Sequence, residues 1–208
     1  MKVLLINGSP KKNGCTYTAL KTVAEALEKN GIETEIFHVG TAPIKGCMGC
    51  GSCARTGSHR CVTSQDTVNE AILKANEADG IVVGSPVHYA AASGDITPFL
   101  DRLFYAGYPM AGKVGAAVVS CRRGGATAAL DQLNKYFTIA QMPVASSNYW
   151  NMVHGNTPEE VLRDEEGIQT MQMLGNNMAW LLKCIEAGRA AGIDFPEAQP
   201  KIRTNFIR

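Results

Sequence analysis

Several familiar signatures are missing from this chain, and each absence removes a class of function. No apolar segment approaches the roughly 20 residues that span a bilayer, so no membrane partner is expected. The N-terminus offers one Lys and the four apolar residues Val3–Ile6, too few for a secretory signal. Neither sign of charge accumulates. The 20 Lys and Arg stand against 19 Asp and Glu, a formal net charge of +1, which argues against an electrostatically driven nucleic-acid partner. Paired carboxylates and a Ser-His-Asp set are absent, so nothing suggests hydrolysis by side chains alone. Seven cysteines form an odd, unevenly spread set, unlike an exported disulfide framework. A reducing cytoplasm, with some thiols in metal or redox use, is the expectation.

What is present starts with the apolar run Val3-Leu4-Leu5-Ile6, the pattern of a buried parallel strand. Residues 17–29 follow with Leu20, Val23, Ala24 and Leu27 on one helical face. Between them lies Asn7-Gly8-Ser9-Pro10-Lys11-Lys12-Asn13-Gly14-Cys15-Thr16, small and polar, at a helix N-terminus where free N–H groups and the dipole favour an anion. The loop is not a Walker A motif, which ends Gly-Lys-Ser/Thr, because it ends Gly14-Cys15-Thr16. A dinucleotide fingerprint needs Gly-x-Gly-x-x-Gly, and only Gly8 and Gly14 are available. A small tyrosine phosphatase needs an Arg closing the loop that its Cys begins, whereas Cys15 is followed by Thr16-Tyr17-Thr18-Ala19-Leu20-Lys21. A phosphate cradle remains, beside the plainer alternative of a strand-to-helix turn capped by Thr16.

The alternation of strands and helices continues. Strands are expected at Thr34–Val39, Gly80–Gly84, Val114–Ser120 and near 143–149. Helices are expected at 66–78 (capped by Ser64 or Asp66), Ile96–Tyr105, near 127–139 and over about 158–187. The pattern implies an α/β fold with a five-stranded parallel sheet, right-handed crossovers and helices on both faces. Residues 1–187 read as a single domain with a Cys-rich insert at 40–65, and 188–208 as a C-terminal tail on the body or on a partner subunit.

In an open, doubly wound sheet of order 2-1-3-4-5, ligands sit at the carboxyl ends of the strands around the switch point. Three loops meet there. One is the phosphate cradle. The second, Gly84-Ser85-Pro86-Val87-His88-Tyr89, could form a shelf for a planar heterocycle. The third, Ser120-Cys121-Arg122-Arg123-Gly124-Gly125, offers close backbone approach and two Arg donors. Ordinary packing would account for His88 and Tyr89 singly, and a solvated loop for Arg122 and Arg123.

Gly8-Ser9-Pro10-Lys11-Lys12-Asn13-Gly14-Cys15-Thr16 resembles the Gly-Ser-Pro-Arg-x-x-Gly-Asn-Thr phosphate loop of the NAD(P)H-dependent FMN reductases, which are flavodoxin-like. Ser85-Pro86-Val87-His88-Tyr89, Ser93-Gly94 and Phe99-Leu100-Asp101-Arg102 resemble a second signature of that family, so the likeness covers roughly residues 1–150. It implies that Ser9, Lys11, Asn13, Gly14, Cys15 and Thr16 hold the FMN phosphate, that Pro86, Val87, His88 and Tyr89 line the ring, and that Ser120, Arg122 and Gly124 approach its far edge. Cys15 replaces the usual Asn and His88 the usual Tyr. The chemistry implied is flavin-centred, with no catalytic side chain. NAD(P)H is the co-substrate and a quinone, flavin or similar small molecule the acceptor. Such reductases resemble homodimers or homotetramers in which a neighbour covers the flavin, a role for which Tyr149, Trp150 and His154 are candidates.

Cys47-x2-Cys50-x2-Cys53-x7-Cys61 is the second strong signal. The spacing of its first three cysteines matches that of segments that wrap a [4Fe-4S] cube. Four thiolates would also take zinc, usually through two separated knuckles, or remain as free thiols. The arrangement resembles the iron-sulfur flavoproteins of the same superfamily. That likeness implies an electron carrier receiving electrons from a partner such as ferredoxin, as an alternative to nicotinamide oxidation. Cys121 and Cys184 read as small buried residues.

Overall fold

The computed structural model describes residues 1–200 together with 202 and 204. Six strands and seven helices follow one another as β1 (Lys2–Asn7), α1 (Cys15–Lys29), β2 (Glu33–His38), α2 (Ser52–Thr56), α3 (Val68–Glu77), β3 (Gly80–His88), β4 (Ala91–Ala92), α4 (Ile96–Ala106), β5 (Val114–Cys121), α5 (Ala126–Ile139), β6 (Met152–His154), α6 (Pro158–Arg163) and α7 (Glu165–Ala190). The parallel strands lie in the order β2-β1-β3-β5-β6. The two-residue β4 folds back antiparallel on the end of β3. With that hairpin set aside, the sheet has the five strands and the 2-1-3-4-5 order that the alternation implies.

The period of two along each strand divides the core cleanly. Leu4, Ile6, Ile81, Val83, Ala117 and Val119 face one way, into a cluster completed by α3, α4 and α5. Val3, Leu5, Val82, Val114, Ala116 and Val118 face the other way, into a cluster completed by α1 and α7. These strands are buried on both faces, which is why they read as continuous apolar runs.

Three expectations need correction. Helix α3 begins at Val68 with Thr67 at its N-cap rather than Ser64 or Asp66, although Asp66 Oδ1 accepts from the Val68 N–H at 3.2 Å. The strand near 143–149 is not one. Only Val144 bridges to Gly115, and pairing with β5 resumes at Met152. In between, the Ser147 hydroxyl donates to the Tyr149 carbonyl at 2.6 Å and sits 2.7 Å from Asn151 Oδ1, a local alternative to ladder pairing. The long helix over 158–187 breaks at Asp164. Its carboxylate accepts from the Gly167 N–H at 3.0 Å and starts α7, which then runs to Ala190. The tail folds Phe195 over Gly112; the residues of 188–208 at 201, 203 and 205–208 lie outside those described. A cavity of about 370 Å³ lies beneath this tail beside Gly112, Pro143 and Cys184, and Gly112 stands just ahead of the start of β5.

Glycine inside β5 serves a packing purpose. A Cβ at Gly115 would stand 2.6 Å from the buried Phe137 ring. Gly115→Val should destabilise the fold by about 1–3 kcal/mol through overpacking. Urea denaturation monitored by circular dichroism measures this, and an unchanged midpoint would contradict the packing account.

Candidate functional site

The loop between β1 and α1 is held by side chains from several elements, and the pattern of holding gives it its chemistry. Ser93 Oγ donates to the Gly8 carbonyl at 2.7 Å. His38 Nε2, at the end of β2, donates to the Ser9 carbonyl at 2.8 Å. Asn7 Nδ2 donates to the Lys12 carbonyl at 3.0 Å. Within the loop, Gly14 N donates to the Lys11 carbonyl at 3.2 Å and Thr18 N to the Gly14 carbonyl at 3.0 Å. The carbonyls of Gly8, Ser9, Lys11, Lys12 and Gly14 are thereby all engaged. By contrast, among the described residues no acceptor is paired with the N–H of Lys12, Asn13, Cys15 or Thr16. A turn with these five acceptors committed and four donors free is an anion nest at a helix N-terminus.

Thr16 is not a cap. Gly14 holds the N-cap position of α1, and the buried Thr16 hydroxyl lies 2.8 Å from Ser120 Oγ at the end of β5. This pair fixes the first loop against the third. Cys15 Sγ lies 3.7 Å from the Gly155 carbonyl. Burial pushes its thiol pKa upward, so the group there is neutral at neutral pH and its backbone N–H is the useful donor.

The second loop extends beyond the parallel sheet. β3 runs to His88, and Tyr89 turns the chain with φ +59°. Ser85 Oγ accepts from the Ser93 N–H at 2.9 Å, which ties the base of this hairpin to the residue that holds Gly8. Gly125, with φ +88°, brings the third loop against Val87. A Cβ there would sit 3.0 Å from Val87 Cγ1 in a backbone conformation that side chains rarely adopt.

Together the three loops border an open cleft of about 200 Å³. Ser9, Lys11, Cys15, Thr16, Pro86, Val87, His88, Ser120 and Arg122 line it. Four expected residues do not. Asn13 faces a separate hollow with Tyr17 and Lys21, and Gly14 is buried beneath the turn. Tyr89 points fully into solvent, and Gly124 is exposed. Pro10, Cys121, Gly155 and Asn156 border the cleft without having been expected. Asn156 N donates to Glu160 Oε2 at 2.6 Å while Thr157 Oγ1 accepts from Glu160 N at 3.3 Å. This is a capping exchange at the start of α6 that could have been read from Thr157-Pro158-Glu159-Glu160. Of the residues that shape the loops from behind, Asn7 and Ser85 stand in the quoted loop stretches without an assigned role, and His38 carries no motif. Tyr149 and Trp150 are exposed and meet edge to face, and His154 Nδ1 lies 3.6 Å from Asp164.

Cys47, Cys50, Cys53 and Cys61 line one small pocket between the 46–63 segment and α4. Gly49 and Gly51, with φ of +63° and +65°, supply the turns between the first three. Arg55 Nη1 donates to the Cys50 carbonyl at 2.7 Å. His59 stacks on Tyr108 with ring centres 4.2 Å apart, and the Asn69 amide holds both backbone groups of Cys61. Arg102, one of the largest fully buried side chains, donates to Cys61 Sγ at 3.2 Å and pairs with Asp66. Burial alone would raise the Cys61 pKa, but hydrogen bonds from Thr63 and Arg102 outweigh it and lower the value. Among the described residues no group of three or more His, Cys, Asp or Glu is arranged to hold a single metal ion. The donor set, all sulfur and backed by a guanidinium, suits a thiolate-bound cluster in kind. The enclosed volume, about 20 Å³, is that of one water, so the four thiols would have to spread to admit a cluster. Cys184 is exposed on α7, against the expectation of burial, whereas Cys121 is buried as expected.

Residues 1–157 match the family described as NADPH-dependent FMN reductase. The chain belongs to that family. An iron-sulfur flavoprotein of Methanocaldococcus jannaschii is 32% identical over 195 residues, covering 89% of this chain and 100% of that protein. RosB, solved with bound 8-demethyl-8-formylriboflavin-5'-phosphate, aligns with 100% of this chain and 94% of its own at 17% identity, with a TM-score of 0.68. A flavodoxin from the Archaea aligns with 88% of this chain and 99% of its own at 17% identity, with a TM-score of 0.60. The two solved structures establish the flavodoxin-like fold, and the family match places this FMN reductase relative among flavin proteins.

Removing the Ser93 hydroxyl tests the role of the engaged carbonyls. Ser93→Ala should leave the Gly8 carbonyl unpaired beside the nest and weaken FMN binding by about 1–2 kcal/mol, roughly five- to thirtyfold. Flavin fluorescence titration reads the dissociation constant, and a value equal to wild type would refute the role.

Proposed function

We propose that this protein is an FMN-dependent oxidoreductase that passes electrons through a flavin to a small acceptor such as a quinone or free flavin. The observation supporting this most strongly is the nest of free N–H donors opening into the cleft between the β3 and β5 tips. Bound there, FMN would supply acceptance of a hydride or of single electrons and their release one or two at a time. The chain's own share is binding and orientation. The free N–H groups of Lys12, Asn13, Cys15 and Thr16, with the Ser9 hydroxyl and the Lys11 ammonium, take the phosphate. Pro86, Val87 and His88 form one wall for the rings. Ser120 and Arg122 form the other, with Arg122 as a cation near the negative charge of reduced flavin. The exposed His88 imidazole offers a proton at the rim.

A second reading concerns the electron donor. NAD(P)H agrees with the family description. The four-thiol pocket, together with full-length similarity to an iron-sulfur flavoprotein, favours a carrier in which Cys47, Cys50, Cys53 and Cys61 hold a [4Fe-4S] cluster. The cluster would supply single-electron exchange with a protein such as ferredoxin. Seven unpaired thiols suit a reducing compartment such as the cytoplasm. No helix among the described residues is long and apolar enough to cross a membrane. The exposed Tyr149–Trp150 pair suits contact with a second copy in a homodimer or homotetramer.

Anaerobic purification with a visible spectrum and assays for iron and sulfide, followed by mixing with NADH, NADPH or reduced ferredoxin, tests both readings. Steady nicotinamide oxidation in the presence of a quinone selects the reductase. Negligible nicotinamide turnover with rapid reduction by ferredoxin selects the carrier. A colourless protein that FMN does not turn yellow removes both.

A further inference from the structure

We propose that Arg102 is the positioning residue of the four-cysteine pocket, pinning both ends of the cysteine loop from within α4 and presenting an N–H to the sulfur of Cys61. The side chain is 1% exposed, and every acceptor recorded for it lies in the segment 45–66. On the entering side it donates to the Lys45 carbonyl at 3.0 Å, two residues before Cys47. On the leaving side it donates to Cys61 Sγ at 3.2 Å, to the Thr63 carbonyl at 2.6 Å and to Asp66, whose Oδ1 is 3.1 Å away. Without such a link, the two ends of an exposed loop with only the short α2 inside would have to be held together against chain entropy. Asn69 fixes Cys61 and donates to the Thr63 carbonyl at 3.3 Å, both on the leaving side, and does nothing for the entering end.

The chemistry of guanidinium explains why the residue is Arg. Its planar fork offers five N–H donors and stays charged, so it can serve a carboxylate, two carbonyls and a sulfur at once. Lys has three donors on one nitrogen and would satisfy only part of this set. Asp66 neutralises the buried charge, as a buried guanidinium requires. What remains directed at the pocket is an N–H···S contact, and hydrogen bonds to cysteine sulfur are among the features that set cluster potentials. The electrostatic half of the proposal rests on the pocket holding a cluster. The anchoring half does not.

The test uses the full chain as wild type, Arg102→Met and Arg102→Lys. Apo proteins are treated with trypsin, whose sites at Arg55 and Arg60 are exposed inside the loop. Arg102→Met should be cut there about tenfold faster or more, while FMN affinity at the cleft beyond the N-terminus of α4 stays within about twofold. Arg102→Lys should fall between the two. After anaerobic reconstitution with iron and sulfide, Arg102→Met should hold less iron, and what it holds should titrate at a lower midpoint potential than wild type. Cleavage at the wild-type rate overturns the anchor, and an unmoved potential at full iron content overturns the contact to sulfur. A wild-type protein that takes up no cluster overturns the cofactor reading and the electrostatic half with it, while proteolysis still decides the anchor. If Arg102→Met loses its folded spectrum, Arg102→Lys carries the same comparison.

Discussion

The site depends on how the turn after β1 disposes of its carbonyl groups. A row of N–H donors attracts phosphate only if the neighbouring oxygens are turned away, because an unengaged carbonyl at the same distance would repel the anion. Here the oxygens are withdrawn by Ser93 from the β4–α4 turn, His38 from β2, Asn7 from β1 and two amides of the turn and helix itself. The donors are therefore left over because the fold has used the acceptors. The cleft's charge preference is a consequence of backbone accounting rather than of net charge, which is close to zero.

Helix α4 serves both features of the surface. Its first residue, Ile96, lies where a Cβ on Gly8 would fall, with its own atoms 2.7–2.9 Å from that point. Any larger residue at position 8 would lift the phosphate loop. Six residues further along, Arg102 sits beneath the cysteine pocket, about 9 Å away at the rise of an α-helix. One rigid element thus sets the position of the flavin cleft and of the thiols.

The layered sheet was legible because buried parallel strands leave continuous apolar runs, and the tips of β1, β3 and β5 could then be located from Ile6, Gly84 and Ser120. Other features were not. A strand is expected near 143–149 from its place in the alternation, yet Ser147 and Asn151 satisfy the backbone locally. The cap at Asp164 was hidden inside a long apolar periodicity, although Asp164 followed by Gly167, which has no room for a Cβ beside it, carried the signal. Within the site, side chains that touch the cleft were recoverable from spacing. Those that act from behind were not, since His38 belongs to β2 and reaches the Ser9 carbonyl 29 residues away in sequence, while Asn7 ends β1 and acts only by holding the turn's own backbone. Tyr89 and Gly124 sit in a familiar pattern but face solvent, because the hairpin turns at Tyr89 and Arg122 is the last residue of its loop to reach the cleft.

The central claim is that the nest recognises a phosphate monoester. Comparing FMN with riboflavin by isothermal titration calorimetry on the wild-type chain tests it most directly, since the two ligands share the ring and differ in the phosphate. Charge-assisted contacts of this kind contribute about 1.5–3 kcal/mol each, so the account predicts FMN binding at least a hundredfold tighter than riboflavin. Equal affinities would contradict it.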